Sequence, residues 1–284
     1  MNHCLYEGLI RKFTAWGQAN PDIKVMLVVG SRARKIKPAD SYSDLDLVLF
    51  AENPTLYLSS TDWIHHIGPY QITFTEKTAT SGGRERRILF NDGLDVDVSV
   101  FNTKQLKDML QDPSSCRVLA RGFNILLNKN DLLPNSLDLF VEKHILPLPS
   151  KEEYINEIND FWYHVVLVSK KMLRKECWES IMIVNSYLKK KLLTMIEWYT
   201  LCKYGQDTDV WFQGRFIDSW VERQILDDLP NCFAHYSLED ILNALYGTMQ
   251  LYRRISKFVS DKMHLPYSIM ADSYATKWVQ DHFS

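Results

Sequence analysis

The sequence predicts an α+β protein in which an N-terminal domain with a mixed β-sheet precedes a C-terminal α-helical bundle. Short apolar runs separated by turn residues fill the first half of the chain, as expected for strands. After Ser150 the apolar residues recur at helical spacing, and no strand pattern returns. Three prolines (Pro134, Pro147 and Pro149) mark the segment between the two halves. We therefore expect a first domain at 1–133, a linker at 134–149 and a bundle at 150–284.

The first domain is predicted to begin with a helix and to continue as a sheet. Leu5 to Ala19 has an amphipathic pattern that Asn20-Pro21 ends. Strands are predicted at Ile23–Val29, Leu45–Phe50, Gln71–Thr75, Arg86–Phe90 and Leu94–Phe101. The Asn91-Asp92-Gly93 turn joins the last two strands as a hairpin. Residues 101–121 have a helical pattern broken at Asp112-Pro113, and residues 122–149 show little periodicity.

The second half is predicted to be helical throughout. Ser150 followed by Glu153 is typical of a capping box, and Ser237 also precedes acids that favour a helix start. Helical periodicity covers 151–175, 177–204, 212–228, 237–264 and 268–282. Five helices with short connections indicate an up-and-down bundle.

Composition limits the possible classes of function. The chain has 284 residues, 46% of them hydrophobic and 24% charged, with a net charge of −2. Since this balance provides no basic field, a nucleic-acid partner is disfavoured. Five widely spaced cysteines without a CxxC pair fit a reducing compartment. With neither a signal-peptide pattern nor an apolar run of about 20 residues, we predict a cytoplasmic protein that does not enter the membrane.

A pair of acids in the second strand indicates a metal site. Asp44 and Asp46 are two residues apart, so in a strand they project to the same side. Two such carboxylates suit Mg²⁺, which proteins hold through one or two carboxylates together with substrate phosphates. At the end of the first strand, the backbone of Gly30 and Ser31 and the Ser31 hydroxyl could face phosphate oxygens. Arg32 follows directly and could reach a phosphate.

A later strand carries two more acids. From Leu94 to Phe101 apolar residues alternate with Asp95, Asp97 and Ser99. Because Asp95 and Asp97 share one face of the strand, their spacing alone does not decide which of them joins the metal site.

The first of these patterns resembles the signature of the nucleotidyltransferase superfamily that includes DNA polymerase β. The matching residues are Gly30-Ser31, a spacer of about a dozen residues, and Asp44-x-Asp46. The resemblance implies ATP as co-substrate, bound with two Mg²⁺ ions as cofactors, and a third acid on a later strand. Val96-Asp97-Val98 fits that third position, so Asp97 is expected both as a metal ligand and as the acceptor of the hydroxyl proton.

The helical half is similar to the aminoglycoside 6-adenylyltransferases, also called streptomycin adenylyltransferases. The similar segments are 160–163, 172–176, 195–199 and 251–253. The resemblance implies Mg-dependent transfer of AMP from ATP to a hydroxyl of an aminoglycoside such as streptomycin, with release of pyrophosphate, which inactivates the antibiotic. It also implies further acids that bind the polycationic acceptor, and the candidates are Asp95, Glu157, Asp160 and Glu197. Residues 32–43 and 76–93 are not close copies of the streptomycin enzymes, so the acceptor could differ.

Two alternatives stay open at this stage. The first is a nucleotidyltransferase that modifies another small molecule, a protein or a nucleic acid. Gly30-Ser31-Arg32-Ala33-Arg34 also resembles the minimal nucleotidyltransferases of toxin–antitoxin pairs, which are much shorter chains. The second alternative is a non-catalytic nucleotide-binding protein, and the three acids on one face argue against it. The sequence leaves the oligomeric state open.

Overall fold

The computed structural model describes residues 2–78, 82–134 and 147–283. The chain divides into two compact units, Met1–His144 and Ile145–Ser284. Most of the predicted linker, residues 134–149, lies outside the described residues, so the predicted domain bounds stay a prediction. The α+β class is confirmed, because a mixed sheet occupies the first unit and helices make up the second.

A six-stranded mixed sheet forms the centre of the first unit. Its strands lie in the order β3-β4-β5-β2-β1-β6; β2 and β5 run parallel, and the other neighbours are antiparallel. The strands are β1 (Ile23–Val29), β2 (Leu45–Ala51), β3 (Tyr70–Lys77), β4 (Arg84–Phe90), β5 (Asp95–Asn102) and β6 (Asn124–Asn128). The helices within the described part of this unit are α1 (Asn2–Ala19), α2 (Pro54–Ser59), α3 (Leu106–Met109) and α4 (Pro113–Ala120).

Both faces of the sheet pack against apolar side chains. On one face, Val96 and Val98 of β5 belong to a core that includes Phe13 of α1. On the other face, Leu27 and Phe50 pack with residues of α3 and α4. Central strands covered on both faces are expected to be nearly continuous apolar runs, as β1 and β2 are. Polar residues inside such strands, such as Asp46 and Asp97, therefore require a reason other than packing.

Two elements of the first unit were not predicted from the sequence. Strand β6 pairs with β1 at the edge of the sheet, within the stretch that showed little periodicity. It is only five residues long and carries a single β-branched residue, Ile125, so it lacks the usual signals of a strand. The short helix α2 follows Asn53 and begins with Pro54, which suits the first helical position.

The second unit is a group of helices around one apolar core. The helices are α5 (Lys151–Leu173), α6 (Cys177–Met182), α7 (Leu188–Tyr204), α8 (Arg223–Asp228), α9 (Leu238–Met263) and α10 (Ile269–Phe283). Ser150 and Glu153 form the predicted capping box of α5, and the Ser237 hydroxyl accepts a hydrogen bond from the Asp240 amide at the start of α9. Phe161, Trp162 and Tyr252 lie in the centre of the core. Within the described residues, no helix is both long and apolar enough to cross a membrane.

The prediction of a helix at 212–228 was wrong over most of its length. Only Arg223–Asp228 is α-helical, and two single 3₁₀ turns precede it. Gln213, Gly214 and Phe216 have positive φ angles of 52°, 72° and 56°. These left-handed conformations cannot continue a right-handed helix, although apolar residues recur there at helical spacing.

A partly buried lysine, Lys189, supports the junction between α6 and α7. A π-helical turn, Ile183–Tyr187, joins the two helices. The Lys189 ammonium donates to the Val184 carbonyl at 3.0 Å and to the Thr248 hydroxyl of α9 at 2.7 Å. Burial lowers the pKa of Lys189 to about 8.

Replacing Lys189 by methionine is expected to remove a pH-dependent part of the stability. The folded pKa of Lys189 lies below that of an unfolded chain, about 10.4. The unfolded chain therefore binds more protons between these two values, and stability contributed at this site rises with pH across that window. The free energy of unfolding of the wild type, minus that of Lys189→Met, should increase by ~2 kcal/mol from pH 7.5 to 10. Urea unfolding at several pH values measures this difference, with exposed Lys190→Met as the control. A difference that does not change with pH would contradict the assignment.

Candidate active site

The turn after β1 places Gly30 against the carboxylate of Asp46. Gly30 has a φ angle of +68°, and a Cβ atom built there would lie 2.0 Å from Oδ2 of Asp46. Asp46 is paired with Val29 in the ladder between β2 and β1, so its carboxylate lies beside the last residue before the turn. Glycine is thus required at position 30 both for the backbone conformation and for the space that Asp46 occupies.

Three acids come together on neighbouring strands. In the parallel ladder of β2 and β5, Asp46 is the register partner of Asp97. Asp44, immediately before β2, completes a group in which one carboxylate oxygen from each residue lies within 4.8 Å of the others. Asp95 is not a member of this group; its amide donates to the Tyr6 hydroxyl at 3.0 Å. The geometry therefore brings together Asp97, not Asp95, with the predicted pair.

The environment of Asp97 makes its negative charge costly. The residue is only 6% exposed. Burial raises the pKa of Asp97 to about 7; the Arg87 guanidinium opposes the shift, and the charge of Asp46 adds to it. Arg87 Nη2 lies 3.0 Å from Oδ2 of Asp97, whereas the buried Oδ1 atom has no hydrogen-bond partner among the described residues.

The three acids fit a hard divalent cation. Carboxylate oxygens are the ligands that Mg²⁺ prefers, and converging carboxylates repel each other unless a positive charge lies between them. The Oδ1 atom of Asp97, which has no hydrogen-bond partner among the described residues, is a ligand atom that such an ion would satisfy. Asp44, Asp46 and Asp97 are therefore the residues that could hold the metal.

Ser31 follows Gly30 in the turn that lies beside this group. Its side chain is 3% exposed, and its Oγ has no hydrogen-bond partner within the described parts of the chain. A buried hydroxyl without a hydrogen-bond partner is uncommon in proteins, and it suits a position that contacts a bound ligand. The predicted contact between Ser31 and a phosphate oxygen would supply that partner.

Arg32 supports the segment in front of Asp44. Its guanidinium donates from Nε to the Asp44 carbonyl at 2.8 Å and from Nη2 to the Ser43 carbonyl at 2.5 Å. It also lies over the Tyr6 ring, 3.4 Å from the centroid. Arg32 thus fixes the backbone that carries Asp44, and its predicted contact with phosphate stays a prediction.

The sequence did not lead us to Arg87, a residue of β4 that lies beside Asp97 of β5. In the antiparallel ladder the two residues are register partners, on either side of the Asn91-Asp92-Gly93 turn. That hairpin turn was recognised in the sequence, and counting outward from it would have placed position 87 opposite position 97. The sequence therefore contained the information needed to pair Arg87 with Asp97. The pairing is defined to within one residue, because the turn does not show between which two residues the strands reverse direction.

The acids predicted to bind the acceptor are divided between the two units. Asp95 lies on β5, next to the group of three acids in sequence. Lys191 pairs with both Glu157 (2.9 Å) and Asp160 (2.8 Å), and the Tyr187 hydroxyl donates to Asp160. Burial opposes ionisation of Asp160, but the hydrogen bonds from Lys191 and Tyr187 lower its pKa.

Glu197 differs from this pair of acids. It lies on α7, and burial raises the pKa of Glu197 to about 7. Among the described residues, no cationic side chain contributes to that rise in pKa. A cationic ligand beside Glu197 would favour its ionised form.

Known proteins resemble this chain over most of its length. A family model described as streptomycin adenylyltransferase matches residues 6–282. An aminoglycoside 6-adenylyltransferase of Campylobacter jejuni is 21% identical over 252 residues, which cover 87% of this chain and 85% of that protein. One from Staphylococcus aureus is 23% identical over 208 residues, covering 70% and 71%. The crystal structure of an aminoglycoside 6-adenyltransferase from Bacillus subtilis aligns at a TM-score of 0.46 and 16% identity, covering 98% and 97% of the two chains.

The family match includes Asp44, Asp46 and Asp97 as well as nearly all of the helical unit. The chain belongs to the streptomycin adenylyltransferase family and is a nucleotidyltransferase.

Proposed function

We propose that this protein transfers AMP from ATP to a hydroxyl group of an aminoglycoside such as streptomycin and releases pyrophosphate. The observation that carries the proposal is the convergence of Asp44, Asp46 and Asp97 beside the Gly30-Ser31 turn. The family match supports the class of reaction, and the names of the similar proteins support the class of acceptor.

In this proposal the turn after β1 binds the triphosphate. The Ser31 hydroxyl, buried and without a protein partner among the described residues, would donate to a phosphate oxygen. Since Gly30 has no side chain, the phosphate chain and the Asp46 carboxylate can both lie close to the backbone there. These contacts would hold the α-phosphorus in the geometry needed for attack. Holding reacting groups in this way lowers the barrier of the reaction.

The acceptor hydroxyl then attacks the α-phosphorus. The new bond joins the acceptor oxygen to phosphorus, and the bond from the α-phosphorus to the bridging oxygen breaks, so that pyrophosphate leaves with the electron pair. We propose that Oδ1 of Asp97 accepts the hydroxyl proton, because this oxygen is free of the Arg87 contact. Mg²⁺ held by the three acids would neutralise the phosphate charge and lower the pKa of the attacking hydroxyl.

The acceptor of such a reaction is a polycation, which requires further negative charge. Asp95, Glu157, Asp160 and Glu197 remain our candidates. Glu157 and Asp160 share Lys191, so together they offer less net charge than two free carboxylates. Glu197, which has no such neighbour contributing to its pKa, would gain the most from binding an ammonium group.

Release of pyrophosphate from Mg-ATP, measured against a panel of aminoglycosides with streptomycin first, tests the proposal. We expect release that depends on both the acceptor and Mg²⁺. Exposed Asp92→Asn, in the β4–β5 turn, serves as a matched aspartate control that should retain activity. Absence of release with every aminoglycoside, from protein that still binds Mg-ATP, would overturn the aminoglycoside acceptor. The acceptor would then be another small molecule, a protein or a nucleic acid.

A further inference from the structure

Arg87 contacts the one acid of the site that the proposed reaction uses as a base. Its Nη2 atom lies 3.0 Å from Oδ2 of Asp97, across the ladder between β4 and β5. The other oxygen of the same carboxylate, Oδ1, is buried and makes no hydrogen bond within the described residues. Arg87 thus occupies one oxygen of Asp97 and leaves the other for a ligand.

Two further acids hold Arg87 in this place. Glu76 of β3 pairs with its Nε atom, and Glu85 of β4 lies 3.4 Å from Nη2. Glu85 is itself largely buried and accepts a hydrogen bond from the Ser99 hydroxyl at 3.2 Å. The guanidinium is therefore fixed from three sides by side chains of β3, β4 and β5. A fixed guanidinium can in turn fix the rotamer of the carboxylate that it contacts.

We infer that Arg87 is a positioning residue of the transfer reaction, which holds Asp97 so that its Oδ1 faces the metal and the acceptor hydroxyl. The inference rests on the proposed function. Mutation of a residue that hydrogen-bonds to a metal ligand and orients it commonly lowers metal affinity or activity about 10–100-fold. Glu76 and Glu85 act indirectly, because they orient Arg87, which in turn orients Asp97.

The charge balance of the cluster agrees with this role. Six carboxylates lie on or beside this part of the sheet: those of Asp44, Asp46, Asp95, Asp97, Glu76 and Glu85. Arg87 is the cation that contacts three of them. A neutral residue at position 87 would leave Asp97 free to rotate and would leave Glu85 buried without its ion pair.

The test compares Arg87→Gln with Arg84→Gln. Arg84 lies on the same strand, is exposed, and donates from Nη2 to the Thr75 hydroxyl at 3.0 Å. We expect Arg87→Gln to lower kcat about 10–100-fold, with KM for Mg-ATP changed less than about threefold, because the Gly30-Ser31 turn stays intact. Arg84→Gln should stay within about twofold of the wild type. Arg87→Lys should recover part of kcat, since it restores a cation beside Asp97.

Chemical rescue separates positioning from a merely structural role. Added guanidinium ion, at concentrations too low to unfold the protein, should raise the rate of Arg87→Ala several-fold. It should not raise the rate of Asp97→Ala, which lacks the carboxylate to be oriented. A rise in KM for the acceptor or for ATP without a fall in kcat would overturn the inference, because Arg87 would then bind substrate. A loss of rate without rescue, accompanied by unfolding, would overturn it in favour of a structural role.

A second measurement keeps this inference separate from the proposed function. If the wild type itself transfers no AMP to any aminoglycoside, the proposed function fails. The contact between Arg87 and Asp97 can then still be tested by measuring unfolding equilibria. A double-mutant cycle of Arg87→Gln and Asp97→Asn should show that the two side chains couple by at least about fivefold in the unfolding equilibrium constant. Additive effects of the two substitutions would mean that Arg87 does not hold Asp97.

Discussion

Replacing Asp97 by asparagine is expected to lower the rate of AMP transfer ~10³-fold. The amide keeps the size and most of the shape of the side chain but can neither accept the hydroxyl proton nor neutralise a metal ion. Asp97 is also the one acid of the group that is almost fully buried, so solvent cannot easily take its place. Steady-state kinetics with saturating Mg-ATP and acceptor measure the effect, and Asp92→Asn is the control.

The same substitution should not weaken the fold, which makes the kinetic result easier to interpret. The folded pKa of Asp97, about 7, lies above that of an unfolded aspartate. The wild type therefore loses stability as the pH rises from about 4 to 7, and above pH 7 the full cost of the buried charge is present. Without Mg²⁺, Asp97→Asn should be at least as stable as the wild type at pH 8, and this advantage should disappear near pH 4. Mg²⁺ should raise the melting temperature of the wild type but not that of the variant.

Replacing Gly30 by alanine is expected to lower the rate of transfer ~10²-fold, the cost of a misplacement of about 1 Å at a reacting centre. The new Cβ atom would lie 2.0 Å from Oδ2 of Asp46, so either the turn or the carboxylate must move. The positive φ angle of residue 30 adds a backbone cost of about 1–2 kcal/mol. Both effects disturb the turn that is proposed to bind the triphosphate.

Gly93→Ala provides a matched control for Gly30→Ala. Gly93 has nearly the same φ angle, +70°, but nothing lies within 4 Å of a Cβ atom built there. The two alanine variants should therefore share the backbone cost in urea unfolding, and only Gly30→Ala should lose activity. Equal activity losses in both variants, or none in either, would contradict the close packing of Gly30 on Asp46.

The sequence was sufficient to predict β1, the glycine turn and the pair of acids Asp44 and Asp46, because each depends on local chemistry. An apolar β1, a glycine turn and two acids spaced for one face require no tertiary information to interpret. The predicted β1, Ile23–Val29, has the same bounds in the structure. The choice of Asp97 over Asp95 required family resemblance, and the structure places Asp97 in the group through its register with Asp46.

Features that depend on contacts between distant segments were beyond the sequence. Strand β6 exists because β1 offers it a free edge, not because its own residues favour a strand. Similarly, the contacts of Arg32 with the Ser43 and Asp44 carbonyls depend on how the loop from 33 to 42 folds back. The pairing of Lys191 with Glu157 and Asp160 joins two helices whose mutual packing no local pattern specifies.

The most direct measurement of the proposed activity is a mass spectrum of the acceptor after incubation with the protein and Mg-ATP. We predict that streptomycin or another aminoglycoside gains one adenylyl group, that the gain requires Mg²⁺, and that it is absent with Asp97→Asn. If aminoglycosides stay unmodified while an adenylyl group is transferred from ATP to a protein or a nucleic acid, the proposed acceptor would be contradicted. Unmodified aminoglycosides and no transfer to any acceptor, from folded protein that binds Mg-ATP, would contradict the proposed reaction.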